Sequence, residues 1–267
     1  AWNPAAFTPE RLARYPAEWA GEQFGSAHAA AIGEILTRYA QYNARRKPEL
    51  LDADTFSLDD ADEMTRVLAG WDDLVARTEA LGATLAPAQH AAWYQLVAYP
   101  VLASANLNHL YAALARNRRY AAQGRAGTRA EAETVRRRFA RDAELARIYE
   151  QDIAGGKWTH MMSQPRIGYS GWQQPERNLL PALEQLKVPA AAALGVALEG
   201  DARAWPGPAA AATLPVLDPW GSGRRTLEVF NRGRAPLDYH TEHVPDWLHV
   251  TPAAGRVNDQ QRLAVTV

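Results

Sequence analysis

Residues 128–156 read TRAEAETVRRRFARDAELARIYEQDIAGG, and this stretch decides the fold class of the chain. It opens on Thr128 with Glu131 three residues later, which is the pattern of a capping box at a helix start. Apolar side chains then recur at helical spacing until Gly155 and Gly156, and glycine is typical of a helix end. The stretch therefore predicts a long amphipathic helix.

The sequence before this stretch carries the same helical periodicity. Thr8 followed by Pro9 is typical of a helix start, and Pro16 is expected to end this first short helix. Pro100 lies inside a later helical pattern, where a kink is expected because proline lacks a backbone N–H. Long helices joined by short links favour an antiparallel bundle, which we assign to residues 1–156.

Helical periodicity is lost after residue 156. Residues 157–212 are rich in Pro, Gly and aromatic residues, which indicates an irregular segment that wraps the bundle and then forms a linker. Short alternating runs over residues 213–267 predict four strands, too few for two packed sheets. The predicted fold class is α+β, mainly α: an antiparallel helical bundle followed by an incomplete β-sandwich.

The composition limits the classes of function. Lys plus Arg number 29 and Asp plus Glu number 30 in 267 residues, giving a net charge of −1. This balance gives no reason to expect nucleic acid or a membrane as a partner. No apolar run reaches about 18 residues, so no transmembrane helix is expected. The basic clusters at residues 45–47 and 136–138 are explained more simply as solvated helix faces than as a binding patch.

No motif assigns a catalytic residue or a metal ligand. His240 and His243 are separated by an odd number of positions, which places them on opposite faces of a strand. The chain has no Cys, which excludes disulfides and thiolate metal sites. Adjacent acidic pairs lie on helices or at their starts, where they suit the helix dipole better than a glycosidase cleft. We therefore expect no metal and no cofactor.

The most informative stretch is residues 157–175, KWTHMMSQPRIGYSGWQQP. It concentrates aromatic rings with amide and imidazole groups, a combination that suits stacking on pyranose rings and hydrogen bonding to sugar hydroxyls. The alternative interpretation is a wrapping segment whose aromatic side chains fill the core of the bundle. The residues alone leave both interpretations open, with the second favoured.

This stretch resembles glycoside hydrolase family 115 in its order Gly-Lys-Trp, His-Met-Met, Ile-Gly-Tyr and Trp-Gln-Gln-Pro. Residues 2–4 (WNP), 42–49 (YNARRKPE) and 229–233 (VFNRG) resemble the same family. The resemblance implies a xylan α-1,2-glucuronidase, which removes glucuronic acid or its 4-O-methyl form with inversion. Inversion implies a general acid together with a general base that activates water.

The resemblance also implies a setting for the chain. Family members carry the active site on a (β/α)8 barrel, and this chain corresponds to the bundle and the opening of the sandwich, so no catalytic residue can be transferred. The chain begins without Met and ends within a predicted strand, so we expect a longer protein. The implied partners are an upstream catalytic barrel, a xylan-derived oligosaccharide and, because the bundle of family members can take part in dimer contacts, a second copy of the chain. The implied location is secreted or periplasmic in a bacterium, and no cofactor is implied.

Under this resemblance the candidate residues for contacting substrate or facing the barrel are Trp158, His160, Tyr169, Trp172 and Gln173. The predicted function is that of a C-terminal accessory region of a secreted inverting α-glucuronidase, supporting the barrel. The alternatives are a non-catalytic carbohydrate-binding module and a structural or dimerisation scaffold.

Overall fold

The computed structural model describes residues 3, 5–207, 211–218, 220 and 223–267. Of the described residues, 47% are helical and 12% lie in strands, which confirms the prediction of a mainly α member of the α+β class. It divides into two compact units, each described by itself below. The helical unit comprises Ala1–Thr55, Arg66–Leu110 and Arg137–Leu180, and the mixed unit comprises Phe56–Thr65, Tyr111–Arg136 and Pro181–Val267.

Six α-helices lie in the described part of the chain, five of them long. They are α1 (Pro9–Phe24), α2 (Ala29–Asn43), α3 (Glu63–Gly82), α4 (His90–Trp93), α5 (Tyr99–Gln123) and α6 (Thr128–Arg147). Short 3₁₀ turns occur at Pro48–Leu50, Pro87–Gln89 and Ile153–Gly156, and π turns at Tyr94–Ala98 and Ile148–Asp152. Over the described ranges, none of the helices combines the length and the apolar character that a membrane span needs.

Helix α1 begins as predicted but does not end at Pro16. The Thr8 hydroxyl accepts the backbone N–H of Arg11 at 3.4 Å, and the helix then continues through Pro16 to Phe24. Its neighbour α2 approaches closely, because a Cβ added at Gly33 would lie 2.7 Å from the backbone N and Cα of Ala17. The expected break at Pro16 is therefore wrong, since this close packing offsets the hydrogen bond that Pro16 cannot donate.

A π turn lies just before Pro100, where a kink was predicted. Over Tyr94–Ala98 the chain winds more widely, and the N–H of Tyr99 bonds to the carbonyl of Tyr94, five residues back. A π turn is one of the ways in which a helix accommodates a proline such as Pro100, which cannot donate a backbone hydrogen bond.

The core of the helical unit is centred on aromatic and aliphatic side chains of α2 and α3. The Trp71 side chain is 1% exposed and meets the Tyr42 ring edge-on, with ring centres 5.2 Å apart. Gly70 makes room for this contact, because a Cβ there would lie 3.1 Å from the Tyr42 hydroxyl. Ile32, Ile35 and Leu74 are buried beside them.

The mixed unit contains six described strands in two antiparallel sheets. The strands are β1 (Leu194–Leu198), β2 (Arg224–Asn231), β3 (Leu237–His240), β4 (His249–Thr251), β5 (Ala254–Val257) and β6 (Gln260–Thr266). The first sheet has the order β1-β2-β6-β4, and the second pairs β3 with β5. Two of the six strands, β1 and β5, were not predicted, and β1 lies inside the segment interpreted as irregular.

The two sheets pack face to face, which corrects the expectation that four strands are too few for this. Val229 and Leu263 of the first sheet form one buried cluster with Leu237, Tyr239 and Val257 of the second. The count failed because β1 and β5 are short and contain Gly and Ala, which favour turns over strands. Backbone pairing with β2 stabilises β1, and pairing with β3 stabilises β5, although the local sequence of neither favours a strand.

Candidate functional site

The segment 157–180 follows the helices of the helical unit and is fixed by a buried ion pair. The guanidinium of Arg166 donates through Nε to both oxygens of Asp142, at 2.9 and 3.1 Å, and through Nη1 to the carbonyl of Met162 at 3.1 Å. Asp142 is 1% exposed. Burial acts to lower the pKa of Arg166, but the hydrogen bond and charge of Asp142 outweigh it and raise the pKa. Arg166 therefore stays charged, and its hydrogen bonds to Asp142 anchor the segment.

A second anchor joins the middle of the same segment to its end. The side-chain Oδ1 of Asn178 accepts the backbone N–H groups of Arg166 at 2.7 Å and Ile167 at 3.0 Å. The N–H of Leu179 donates to the carbonyl of Ile167 at 3.1 Å, and the Ile167 side chain is fully buried. Gly168 has a φ of +101° and packs against Leu179, so this turn requires glycine.

A third anchor holds the start of the segment. A carboxylate oxygen of Glu150 accepts the N–H of Met162 at 2.9 Å and the hydroxyl of Ser163 at 3.4 Å. The Thr159 hydroxyl donates to the carbonyl of Gly156 at 2.7 Å. Polar bonds thus hold in place a stretch that has no regular secondary structure.

An open groove of about 1070 Å³ lies between this segment and residues 46–52, which follow α2. Its lining includes cationic, aromatic and small polar side chains, among them Arg46, Lys47, Tyr99, Gln164, Tyr169 and Trp172. Its size is at the upper end of the range of small-molecule sites, which suits an extended ligand of several rings.

The predicted site residues occupy four different places. Tyr169 and Trp172 line the groove, and the Trp172 side chain is 99% exposed. Trp158 packs against the buried cluster of Tyr99, Leu145 and Tyr149. Gln173 lines a separate shallow depression, and His160 lines neither the groove nor this depression. The structure thus brings two of the five candidates together in the groove.

Most lining residues of the groove were missed as site residues, among them Arg46, Lys47 and Tyr99. Arg46 and Lys47 were interpreted as solvated helix charge, and Tyr99 is 9% exposed within the helical pattern of α5. The only signal in the sequence was that residues 42–49 and 156–175 carry the same resemblance.

An aromatic cluster packs around Tyr99, which lines the groove. The Tyr99 ring lies 4.9 Å from the Tyr149 ring and 6.1 Å from the Tyr94 ring, centre to centre. The Tyr94 hydroxyl donates to the carbonyl of Leu145 at 3.0 Å. Burial raises the pKa of Tyr99, and burial raises the pKa of Tyr94 to about 12. Both hydroxyls therefore remain protonated donors at neutral pH.

The mixed unit contains a smaller charged cavity of about 310 Å³. Two of its arginines are engaged with acids of the same unit: Arg119 with Asp59, and Arg125 with Glu228 at 2.8 Å. Arg125 is 3% exposed, and its guanidinium lies 4.1 Å from the centre of the Phe230 ring. We interpret this cavity as an ion-pair network that stabilises the unit.

Histidines in the mixed unit do not form a metal centre with their neighbours. The His240 Nε2 lies 2.5 Å from a carboxylate oxygen of Glu242. Across the residues that the structure describes, no three His, Asp or Glu side chains are grouped closely enough to hold a metal ion.

Residues 1–50 match the model of glycosyl hydrolase family 115, which confirms the resemblance of the chain to this family. One similar solved structure is described as a 4-O-methyl-alpha-glucuronidase of that family with specificity for decorated arabinogalactans. Its sequence identity is 14% and the TM-score is 0.49. The alignment covers 100% of this chain and 41% of that one, so this chain spans less than half of that protein's length. No curated protein matches the chain.

Proposed function

We propose that this chain is an accessory region of a family 115 α-glucuronidase that removes glucuronic acid or its 4-O-methyl form from xylan with inversion. In this proposal a barrel upstream in a longer protein supplies the general acid and base. The chain supports that barrel and holds part of the substrate-facing surface. The protein acts outside the cytoplasm, secreted or periplasmic, where the polysaccharide is found.

One observation carries the proposal. Arg46 and Lys47 belong to the part of the chain that matches the family model, and Trp172 belongs to the stretch 157–175 that resembles the same family. These parts are more than a hundred positions apart, yet their side chains line the same groove. A groove assembled from two family-like stretches is supporting evidence for a shared role at this surface.

The experiment compares the chain alone with a longer chain that includes the residues encoded upstream. Both are incubated with glucuronoxylan fragments and with glucuronic-acid-decorated arabinogalactan, and released glucuronic acid is quantified. We expect release from glucuronoxylan by the longer chain alone, with inverted anomeric configuration by NMR. Release by the isolated chain would contradict the accessory role, and release only from arabinogalactan would contradict the substrate.

A further inference from the structure

We propose that residues 56–62 of the mixed unit form a latched strap, which opens as one unit over the charged cavity and which salt shifts toward the open state. The strap has no helix or strand and ends where α3 begins at Glu63. Ser57, Leu58, Asp59 and Asp62 of the strap line the cavity of about 310 Å³. The strap therefore closes one side of a space that α5, β1, β2 and β6 also line.

The backbone of the strap is held in an unfavourable conformation at two successive residues. Ala61 has a φ of +49° and Asp62 a φ of +55°, in the left-handed region that residues other than glycine rarely adopt. Such a conformation persists only where the surrounding contacts impose it. The closed strap therefore stores backbone strain, which opening would release.

The contacts that impose the closed position are two ion pairs and one backbone hydrogen bond. Arg119 of α5 donates to both carboxylate oxygens of Asp59, from Nη2 to Oδ2 at 2.8 Å. Arg262 of β6 donates to the carboxylate of Asp62, one of the two strained residues. The N–H of Gly200 donates to the backbone carbonyl of Asp59 at 3.2 Å. Three separate parts of the unit thus act as latches on the strap.

Burial contributes little to the closed position. Every side chain of the strap is at least partly exposed, and Met64, at 3% exposure, is the first buried residue after it. The cavity beneath the strap is lined mainly by charged and polar side chains, so opening would expose little additional apolar surface. Segments with few buried apolar contacts open locally while the rest of the fold stays intact. The polar latches therefore decide whether the strap is open or closed.

The two ion pairs make the latches sensitive to salt. The side chains of Asp62 and Arg262 are both 47% exposed, and those of Asp59 and Arg119 are 25% and 22% exposed. In 1 M salt the Debye length is about 3 Å, so ion pairs that solvent reaches are weakened. The backbone strain is not electrostatic and is unaffected by the salt. Salt therefore favours the open state, in which solvent reaches the cavity.

The test is amide hydrogen exchange of the full chain, measured by NMR. The amide of Gly200 reports opening of the strap, because its acceptor is the carbonyl of Asp59. The amide of Val229 in β2, which pairs with both β1 and β6, reports unfolding of the whole unit. We expect Gly200 to exchange at least about tenfold faster than Val229. Raising NaCl from about 0.05 M to about 1 M should increase the ratio of the Gly200 rate to the Val229 rate about threefold.

Two variants should change this ratio of rates in opposite directions. Arg119→Gln removes one latch and should raise the ratio about tenfold, a factor that corresponds to one charge-assisted contact. Ala61→Gly should lower the ratio about fivefold, because glycine adopts a positive φ without strain. This second variant tests the strap even if Arg119→Gln fails to fold. The matched control is Arg256→Gln, which should leave the ratio unchanged because Arg256 lies 3.9 Å from Asp238, outside the strap.

Three outcomes would overturn the inference. These are equal exchange rates for Gly200 and Val229, a ratio that does not respond to salt, and a ratio that Ala61→Gly leaves unchanged or raises. The first outcome would mean that the strap opens only when the whole unit unfolds. None of these measurements involves the release of glucuronic acid, so the strap and the proposed function can fail separately.

Discussion

The buried pair of Arg166 and Asp142 allows the sharpest prediction about stability, through the substitution Arg166→Met. The Asp142 side chain is 2% exposed and that of Arg166 is 19% exposed, so neither charge is screened well by water. Methionine fills much of the volume of the arginine stem but offers no charge. The carboxylate of Asp142 is then left buried without its cation.

The magnitude follows from this arrangement. Removing one partner of a buried pair costs about 3–5 kcal/mol, because the remaining charge is uncompensated. With a urea m-value of about 3 kcal/mol/M, this corresponds to a lower unfolding midpoint by about 1–2 M. The lost stability should appear mainly as unfolding of the segment 157–180, which Arg166 anchors.

The assay is urea unfolding followed by far-ultraviolet circular dichroism, together with limited trypsin digestion. Cleavage after Lys157 and Arg177 should accelerate in Arg166→Met, because both flank the released segment. The matched control is Arg147→Met. Arg147 contacts Glu144 and Asp152 at the solvent-exposed surface, so its loss should leave the midpoint nearly unchanged.

A double variant tests whether the uncompensated carboxylate of Asp142 causes the loss of stability in Arg166→Met. Combining Arg166→Met with Asp142→Leu removes the stranded carboxylate, and apolar replacement of a buried pair is often neutral. The double variant should therefore recover most of the lost stability. A shift of less than about 0.5 kcal/mol in Arg166→Met, or no recovery in the double variant, would refute this account of the anchor.

Three further predictions concern other parts of the chain. Arg125→Met should destabilise the mixed unit by about 1.5–3 kcal/mol, because Glu228 loses a charge-assisted hydrogen bond but keeps Arg262 at 3.7 Å, and urea unfolding measures this. Gly33→Ala should cost about 1–3 kcal/mol through collision with the backbone of α1, whereas Gly171→Ala, with open space around its Cα, should leave the thermal midpoint unchanged. Burial raises the pKa of Tyr94 from its ordinary value of 10.0 to about 12, so the folded state holds this proton more tightly than the unfolded chain. The resulting stability is present below pH 10 and is lost as the pH rises through 12. Tyr94→Phe should reduce this loss of unfolding free energy across the same pH range. An unchanged pH profile of the unfolding free energy would contradict the prediction.

The helices could be predicted from the sequence because their periodicity is local. Where the helices end depends on contacts between distant positions, which the sequence does not show. Helix α1 continues past Pro16 because Gly33 lets α2 approach Ala17, and such a contact joins distant positions. In the same way, β1 gains its structure from pairing with β2, about 30 positions later along the chain.

Only part of the candidate site could be predicted, again because contacts between distant positions are not visible in the sequence. Composition alone pointed to the aromatic stretch, and Tyr169 and Trp172 line the groove. Composition could not separate them from Trp158, which packs in the aromatic cluster, because burial is decided by how the segment folds back. Arg46 and Lys47 had the appearance of ordinary helix-end charges until the fold placed them beside Trp172.

Asn178 has a consequence for the exchange of backbone amides with solvent. Its Oδ1 is the acceptor for the amide protons of Arg166 and Ile167, and the amide of Leu179 is bonded to the Ile167 carbonyl. Within a segment that has no helix or strand, these amides should exchange slowly and together, because one movement of Asn178 exposes the first two. The protected amides would mark the wall of the groove as a small cooperative unit, maintained by a single side-chain oxygen.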